Sequence, residues 1–332
     1  MHAITLGQAA APSVPIFHGM VGKSKPMLEI FSRIEKVAAG DANACIYGDS
    51  GTGKELIARA IHYSSPRRNR PLITLDCAAA PEGLMESHLF GHVRGAFTGA
   101  VHSHEGVFAL AHTGTLFMDE LCELSPPLQA KLLRVIQTRE FLPVGGTRPI
   151  RTDIRLITAT NRDLGKEVES ERFREDLYYR VAVVMIKVPP LRERTEDIPP
   201  LVEHFLRKFS AVYNKSIRNV PPSVTDRLAG LRWPGNVRQL EHFIEQAVVL
   251  ADGASLSERD FPVEEDGAPG NGNGGPALPE PLLPLREVER CYILRTLEAV
   301  GGNRTRAARL LGISIRGLQR KLKVYLSPRI AQ

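Results

Sequence analysis

Apolar and polar residues follow the periods of strands and helices along most of the chain. Short apolar runs typical of buried strands occupy residues 44–47, 71–77, 115–120, 154–161 and 181–188. Between these runs, apolar residues recur every three or four positions, as they do over residues 27–37, which predicts helices with one buried face. Strands that alternate with helices indicate an α/β fold built on a parallel sheet.

The pattern becomes helical after residue 198. Helical spacing continues to Leu250 and is interrupted at Pro221-Pro222 and at residues 233–236, which predicts a second, smaller domain. Residues 267–284 are rich in Gly, Pro and Asn, a composition typical of a flexible linker. The expected segments are a disordered N-terminus (1–16), an α/β domain (17–188), a helical domain (189–262), a linker (263–284) and a helical C-terminal domain (285–326).

Short helices are predicted after the linker. A first helix has its apolar residues at Val288, Cys291, Tyr292, Leu294 and Leu297. Asn303 is placed to cap a helix over 305–311, and Gly312 follows as a turn. The last helix, 314–323, is expected to direct its apolar residues inward, namely Ile315, Leu318 and Leu322. Its other face is basic, which favours a DNA-binding helix-turn-helix over an ordinary helical hairpin.

Composition and charge narrow the class of protein. The chain has 332 residues, 43% hydrophobic and 24% charged, as soluble globular proteins do. Neither a signal peptide nor an apolar run of membrane-spanning length is present, so we expect a cytoplasmic protein without membrane contact. The four cysteines are widely spaced, which predicts buried free thiols. Residues 301–332 carry +8 while the whole chain carries +6, so this tail either contacts nucleic acid or is simply solvated.

A glycine-rich turn follows the first strand and precedes an amphipathic helix. Its sequence, residues 48–55, is GDSGTGKE. Strand, glycine-rich turn and helix are the context of a phosphate-binding loop, in which backbone N–H groups and the helix N-terminus hold an anion. Lys54 would reach the β- and γ-phosphates, although an ordinary glycine turn remains an alternative. Glu55 occupies the position where a hydroxyl residue usually contacts magnesium.

Two carboxylates end a later strand. Asp119 and Glu120 follow the apolar run Thr115–Met118, and at such a position they would lie near a magnesium ion and an attacking water. A solvated turn is the alternative, but a chain that also carries Lys54 favours catalysis. Asn161 ends the strand 154–161 and is placed to sense the γ-phosphate.

Three arginines are candidates for nucleotide contact. Arg174 and Arg180 lie six residues apart on a predicted helix, so they either form surface salt bridges with Glu175 or Asp176, or reach the nucleotide of a neighbouring subunit as arginine fingers. Arg238, just after the turn at 233–236, would touch nucleotide from the helical domain.

A loop bracketed by glycines interrupts the α/β domain. Residues 95–100 read GAFTGA, and a loop of this kind can move while it presents Phe97 to a partner. Phe97 could equally fold back into the core.

Taken together, these residues resemble a bacterial sigma-54-dependent transcription activator of the AAA+ ATPase class. The resemblance covers residues 17–326 and includes a Fis-type DNA-binding domain. Its most specific motif is GAFTGA, and its supporting motifs are GDSGTGKE, GTLFMDE, ATN at 159–161, FREDLYYR, PPLRER at 189–194 and WPGNVRQL at 233–240. We expect no N-terminal receiver domain before residue 17, and we therefore expect control by a partner protein, by expression, or no control at all.

The resemblance implies an oligomer, dimeric on DNA and hexameric as a ring, that binds enhancer DNA and uses ATP and Mg²⁺ to remodel the sigma-54 RNA polymerase complex. The implied catalytic residues are Lys54, Asp119, Glu120, Asn161, Arg174 and Arg180. The implied nucleotide-binding residues are Val21, Gly22, Gly48, Asp49, Ser50, Gly51, Thr52, Gly53, Lys54, Glu55, Leu56 and Arg238, with Asp119 and Glu55 at the metal.

Protein and DNA contacts follow from the same resemblance. The sigma-54 contact would be formed by Gly95, Ala96, Phe97, Thr98, Gly99 and Ala100. DNA would be contacted by Thr305, Arg306, Ser314, Arg316, Gln319, Arg320 and Lys323. An alternative is a DNA-binding regulator whose AAA+ domain is only an oligomerisation scaffold.

The sequence departs from the family at two positions. Asp76 stands where asparagine is usual, and Gly317 lies inside the recognition helix. We expect Asp76 either to share a proton with Glu120, since two ionised carboxylates cannot bond, or to turn toward a basic residue.

Overall fold

The structure, a computed structural model, describes residues 16–217, 219–251, 253, 256, 261, 289, 293, 296–297, 303–310 and 313–326. The chain divides into two compact units, Met1–Pro269 and Gly270–Gln332. The predicted linker and most of the predicted N-terminal segment lie outside the described residues, as do Val288, Cys291, Tyr292 and Leu294. Ile16 is described, and it pairs with Val21 in a two-stranded ribbon, so the prediction that disorder extends through residue 16 is wrong at that position.

The first unit is built on a five-stranded parallel sheet. The described strands of the first unit, which include those of three two-stranded ribbons, are β1 (Ile16–Phe17), β2 (Met20–Val21), β3 (Ala44–Tyr47), β4 (Leu72–Asp76), β5 (Gly91–His92), β6 (His104–Glu105), β7 (Thr115–Asp119), β8 (Glu140–Phe141), β9 (Ile150–Arg151), β10 (Arg155–Thr160) and β11 (Val184–Lys187). The sheet has the order β11-β3-β10-β7-β4. The predicted α/β fold with a parallel sheet is therefore confirmed.

Helices cover both faces of this sheet and form the lid beside it. The helices of the first unit are α1 (Lys25–Ala38), α2 (Lys54–Tyr63), α3 (Glu82–Phe90), α4 (Val107–Leu110), α5 (Pro126–Thr138), α6 (Leu164–Glu169), α7 (Glu175–Val181), α8 (Ile198–Val212), α9 (Pro222–Gly230) and α10 (Asn236–Leu250). One core lies between the sheet and α1 and α2, and another lies under α3 and α5. Among the described residues, no helix is long and apolar enough to cross a membrane.

Strand position decides how deeply each strand is buried. Every residue of the central strand β10 is buried, as its apolar run predicts. The prediction of a buried strand at 71–77 is only partly right, because β4 forms the edge of the sheet and leaves Thr74 and Asp76 exposed. Parallel strands present their carboxyl ends at one edge, where ligands of open α/β sheets bind.

The lid has its own core around Trp233. The Trp233 side chain is buried against α10, and its Nε1–H donates to the Leu228 carbonyl at 2.8 Å. This bond satisfies the one polar group of a buried indole. Helices α8, α9 and α10 therefore pack around Trp233 in one apolar core.

The second unit contains two described helices, α11 (Arg304–Leu310) and α12 (Ile315–Leu326). Asn303 Oδ1 accepts the Arg306 N–H at 3.1 Å, so the predicted cap forms. Leu318 and Leu322 are buried against Ala307 and Ala308. Ile315 is 43% exposed, so its predicted inward orientation is wrong; it is the first residue of α12, and the buried side of that helix is formed a turn later.

Candidate functional site

The glycine-rich loop adopts the backbone conformation that an anion-binding loop requires. Gly51 and Gly53 have φ of +76° and +99°, which side-chain-bearing residues rarely adopt. Thr52 Oγ1 donates to the Asp49 carbonyl at 2.8 Å and tightens the turn. Helix α2 then starts at Lys54, so the positive end of its dipole faces the loop.

Lys54 is the buried cation of this loop. Its side chain is 6% exposed, and Nζ donates to the Gly48 carbonyl at 3.0 Å. The same Nζ lies 3.9 Å from Glu120 Oε1. Loop lysine and strand-end carboxylate, which are far apart in sequence, therefore meet at the carboxyl edge of the sheet.

Asp119 and Glu120 differ in their surroundings. Asp119 Oδ1 accepts the Glu120 N–H at 2.9 Å. Glu120 has φ of +49°, a left-handed conformation that turns the chain sharply out of β7. Asp76 lies opposite Asp119 in the sheet register, but its Oδ1 accepts the Ala78 N–H at 2.9 Å. Neither expected arrangement of Asp76, a proton shared with Glu120 or a basic partner, forms among the described residues.

These groups line one cleft of about 580 Å³ between sheet and lid. Of the nucleotide-binding residues expected from sequence, the cleft contains Val21, Ser50, Gly51, Thr52, Gly53, Lys54, Glu55, Leu56 and Arg238, together with Asp119 and Glu120. Gly22, Gly48, Asp49 and Asn161 are not part of its lining. A Cβ on Gly22 would meet Met27 at 3.0 Å, so Gly22 permits close packing behind the cleft.

Several lining residues come from the lid side and were not expected from sequence. They are Arg194, Leu201, His204, Phe205, Lys208, Val237 and Glu241. Arg194 lies in the PPLRER motif, which marks its neighbourhood but gives it no role. The residues on α8 follow an ordinary amphipathic pattern, so local sequence carries no signal that one edge of the helix meets the cleft.

Glu55 is ion-paired through one of its two carboxylate oxygens. Its Oε1 accepts hydrogen bonds from Arg59 Nε and Nη2 at 3.0 and 2.8 Å, in an i,i+4 ion pair on the exposed side of α2. These two bonds leave Oε2 available to a metal. Asp119 has no such cationic partner among the described ion pairs, and it stays the better metal candidate.

Arg174 and Arg180 lie outside their own cleft. Arg174 forms a two-bond ion pair with Asp176, at 3.0 and 2.8 Å, and this guanidinium lowers the pKa of the Asp176 carboxyl. The salt bridge considered from sequence therefore forms. The Arg180 side chain is exposed, and its backbone carbonyl accepts a bond from Asn43 Nδ2 at 2.9 Å. Neither arginine lines the cleft of its own chain.

The GAFTGA loop is the tip of the hairpin formed by β5 and β6. The Gly95 N–H donates to the Ala100 carbonyl at 2.9 Å, and Gly95 and Gly99 have left-handed φ of +83° and +102°. Phe97 is 39% exposed, and its ring packs edge-to-face with the His92 ring, with 4.9 Å between the ring centroids. Phe97 therefore stays at the surface and does not fold into the core, while Thr98 beside it is exposed.

A second loop supports this hairpin. The Val93 N–H donates to the Val144 carbonyl at 3.1 Å, and the Val144 N–H donates to the Gly91 carbonyl at 2.9 Å. Gly145 approaches Ala96 so closely that a Cβ on it would lie 2.8 Å from the Ala96 Cβ. The second loop therefore supports the base of the hairpin and reaches Ala96 in the GAFTGA loop, while Phe97 and Thr98 stay exposed.

The second unit presents a basic surface. The expected DNA-contacting residues with exposed side chains are Thr305, Arg306, Ser314, Arg316, Gln319 and Arg320. Lys323 lies in α12, but its side chain is outside the described part of the chain. Ser314 Oγ accepts the Gly317 N–H at 3.1 Å and caps α12.

Three known protein families match successive parts of the chain. Residues 20–187 match the Sigma-54 interaction domain, residues 192–272 the AAA+ ATPase lid domain, and residues 284–325 the bacterial regulatory protein Fis family.

Curated relatives span nearly the whole chain. The transcriptional regulatory protein ZraR of Escherichia coli is 50% identical over 308 residues, which are 92% of this chain and 68% of ZraR. The regulatory protein AtoC of Escherichia coli is 46% identical over 306 residues, 91% of this chain and 66% of AtoC.

A solved structure has the same fold. NtrX from Brucella abortus, crystallised with ADP, superposes with a TM-score of 0.72 at 34% identity and covers 93% of this chain and 69% of that chain. The NtrX crystal with ATP matches with the same TM-score, at 33% identity.

Proposed function

Because the chain belongs to the family of sigma-54-dependent transcription activators, with a sigma-54 interaction domain, an AAA+ lid and a Fis-type helix-turn-helix, we propose that it hydrolyses ATP to activate sigma-54 promoters. ATP would bind in the cleft, the GAFTGA loop would contact sigma-54, and α11 and α12 would bind enhancer DNA. A homo-oligomeric ring would couple these activities.

The single observation that carries this proposal is the meeting of Lys54 with Glu120 beneath the left-handed glycine loop. The buried Lys54 ammonium lies 3.9 Å from the Glu120 carboxylate, so cationic and basic groups converge at one end of the cleft. Such a pair suits phosphoryl transfer to water, in which the lysine neutralises phosphate oxygens and the carboxylate orients the nucleophile. The NtrX crystals with ATP and ADP support nucleotide as the ligand of this fold.

The residues present also fit a magnesium ion. Asp119 offers a carboxylate at the end of β7, next to the loop that would hold the phosphates, and magnesium binds through one or two carboxylates plus substrate phosphates. The ion would neutralise charge on the phosphate oxygens. Asp119 would hold it, and Glu55 would have to share its carboxylate between the ion and Arg59.

Phe97 is the residue through which we propose that hydrolysis reaches sigma-54. Its hairpin base is hydrogen-bonded to Val144, whereas the tip has two left-handed glycines and an exposed aromatic ring. Because the base is tied to a second loop of the domain, a movement of the domain would displace Phe97. Exposed aromatics are frequent hot spots of protein contacts.

One preparation tests both activities. We expect Phe97→Ala to abolish transcription from a sigma-54 promoter while ATP turnover stays within about twofold of wild type, since Phe97 lies outside the cleft. Leu142→Ala is the matched control, because Leu142 is an equally exposed apolar residue, 42% exposed, beyond the GAFTGA loop. Full transcription by Phe97→Ala would overturn the role of the loop. Full transcription by Lys54→Ala would instead favour the AAA+ domain as a scaffold.

A further inference from the structure

Three successive carbonyls of the phosphate loop accept hydrogen bonds from the lid side of the cleft. The Ser50 carbonyl accepts a bond from Asn236 Nδ2 at 2.9 Å. The Gly51 carbonyl accepts the backbone N–H of Arg238 at 3.2 Å. The Thr52 carbonyl accepts a bond from Arg194 Nη2 at 3.1 Å. We call the two side-chain donors, Asn236 and Arg194, the carbonyl clamp.

Asn236 is fixed at both ends of its amide. It is fully buried, and while Nδ2 donates to the loop, Oδ1 accepts the Leu191 N–H at 2.8 Å. Its φ of +52° is left-handed, a conformation that asparagine tolerates better than most residues. The side chain is therefore locked between the start of the lid and the loop, and it has no freedom to turn elsewhere.

Arg194 is the second member of the clamp. The side chain is buried, and Nη1 contacts Met27 Sδ at 2.8 Å. Burial lowers the pKa of the guanidinium, an effect that Asp197 partly offsets. Its Nε has no hydrogen-bond partner among the described residues. A guanidinium held at this desolvation cost fits a positioning role better than a purely structural one.

A neighbouring contact anchors the same segment to the sheet domain. Asp197, fully buried, accepts the N–H groups of Lys23 and Ser24 at 2.6 and 2.8 Å and the Ser24 hydroxyl at 2.7 Å. The loop and lid also touch directly, because a Cβ on Gly51 would lie 2.3 Å from the Gly235 carbonyl. The lid therefore sets the position of the loop at several independent points.

Peptide geometry converts these bonds into a statement about phosphate binding. In a trans peptide, the C=O of one residue and the N–H of the next lie in one plane and point in opposite directions. Holding the carbonyls of Ser50, Gly51 and Thr52 toward the lid thus directs the N–H groups of Gly51, Thr52 and Gly53 away from it. Those N–H groups are the ones that a glycine-rich loop offers to phosphate.

We propose that Asn236 and Arg194 are positioning residues that hold the phosphate loop in its anion-binding form, so that the lid builds the phosphate site together with the loop. The inference rests on the proposed function in one respect, namely that the anion is a nucleotide phosphate. Removal of a clamp donor should weaken nucleotide binding while it leaves the acid and base of the reaction in place.

The test compares two substitutions that add the same charge to the same turn. Asn236→Asp keeps the acceptor for the Leu191 N–H but removes the donor to Ser50. Gln239→Glu is the matched control, because Gln239 Oε1 accepts the Gly235 N–H at 2.9 Å and glutamate can do the same without any bond to the loop. In the full-length chain, we expect Asn236→Asp to raise the Kd for a fluorescent ADP analogue by about tenfold and Gln239→Glu to raise it by less than about twofold.

Two further readouts separate positioning from simple loss of structure. Without nucleotide, amide hydrogen exchange of residues 48–55 should accelerate in Asn236→Asp and stay unchanged in Gln239→Glu. For ATP turnover, KM should rise while kcat changes little. Equal Kd values and equal exchange for the two variants would overturn the clamp.

A second variant covers the case in which Asn236→Asp does not fold. Arg194→Met removes the donor to Thr52, while the buried Asp197 carboxylate keeps its hydrogen bonds from Lys23 and Ser24. It should therefore also raise the ADP Kd, by at least about threefold. An unchanged Kd would contradict the proposal. ADP binding and amide exchange need no hydrolysis. A chain that binds ADP without hydrolysing ATP would therefore refute the proposed function and still test the clamp.

Discussion

At the scale of single residues, burial sets the chemical state of the thiols around the sheet. Cys45 lies on β3, an interior strand of the sheet, and desolvation raises its pKa to about 11. The pKa of Cys77, just after β4, is raised further by burial and by the nearby Asp76 and Asp119 carboxylates. Thiols that stay protonated are poor nucleophiles and metal ligands. Cys45 and Cys77 are therefore buried free thiols, as expected, whereas Cys122 is only half-buried. Cys291 lies outside the described residues.

The raised pKa of Cys45 makes stability depend on alkaline pH. The thiol of the unfolded chain ionises near pH 9.0, whereas the folded one has a pKa of about 11, so a rise in pH above 9 stabilises the unfolded state. The contribution of the Cys45 thiol to the free energy of unfolding is complete below pH 9 and is lost as pH rises toward 11. The loss is on the order of 2 kcal/mol.

Urea denaturation of wild type and Cys45→Ala at pH 8.0, 9.5 and 10.5 measures this contribution. Subtracting the two curves removes the titration of other groups and the constant cost of the substitution. We expect the wild-type advantage to shrink with pH. An advantage that is the same at all three values would contradict the assignment.

At the scale of elements, the start of α12 balances two opposing effects at one glycine. Ser314 Oγ caps the helix by accepting the Gly317 N–H. A Cβ on Gly317 would lie 3.2 Å from that hydroxyl, so a methyl group there would disturb the cap. Glycine inside a helix costs about 1 kcal/mol relative to alanine, and an N-cap serine contributes about the same amount. The glycine therefore suits this helix despite its low propensity.

A double-substitution cycle measures the conflict. We expect Gly317→Ala alone to change the exchange protection of α12 by less than about 0.5 kcal/mol, because propensity gained is offset by cap lost. In a Ser314→Ala background, the same substitution should stabilise α12 by about 1 kcal/mol. Amide exchange of residues 315–326 in the full-length protein measures the effect of Gly317→Ala in both backgrounds. Equal effects of Gly317→Ala in the two backgrounds would show that the cap and the methyl group do not interact.

At the scale of the whole molecule, the positions of the two candidate arginine fingers bear on whether subunits share a nucleotide site. Arg180 is exposed, and Arg174 is held by Asp176, so neither lies at the cleft of its own chain. A guanidinium stabilises transition-state charge only when it reaches the phosphates. If these arginines act in hydrolysis, they must do so in the cleft of a neighbouring copy, and this is the basis for proposing an oligomer.

Mixing two inactive variants tests this arrangement. Arg180→Ala keeps Lys54, and Lys54→Ala keeps Arg180, so in an equimolar mixture about a quarter of the interfaces combine an intact cleft with an intact finger. ATP turnover should recover to about that fraction of wild type. The control mixes Arg180→Ala with the double variant Lys54→Ala/Arg180→Ala, which supplies no finger and should give no recovery. Equal turnover in both mixtures would exclude action in trans.

The sequence by itself determined the elements whose signals are local. It placed the strands Ala44–Tyr47 and Thr115–Asp119, the helix around residues 27–37 and the glycine loop where the structure has them. Periodicity, glycine conformations and caps act over a few residues, so a short stretch contains all the information needed. The motifs were recognisable for the same reason.

Only the tertiary structure decided which of these local elements meet. It put β4 at the sheet edge, left Phe97 and Ile315 exposed, and closed the Glu55–Arg59 ion pair beside the cleft. It also joined Asn236 to Ser50 across 186 residues. The face that one element presents to a distant one depends on how all of them pack, and no local period encodes that choice.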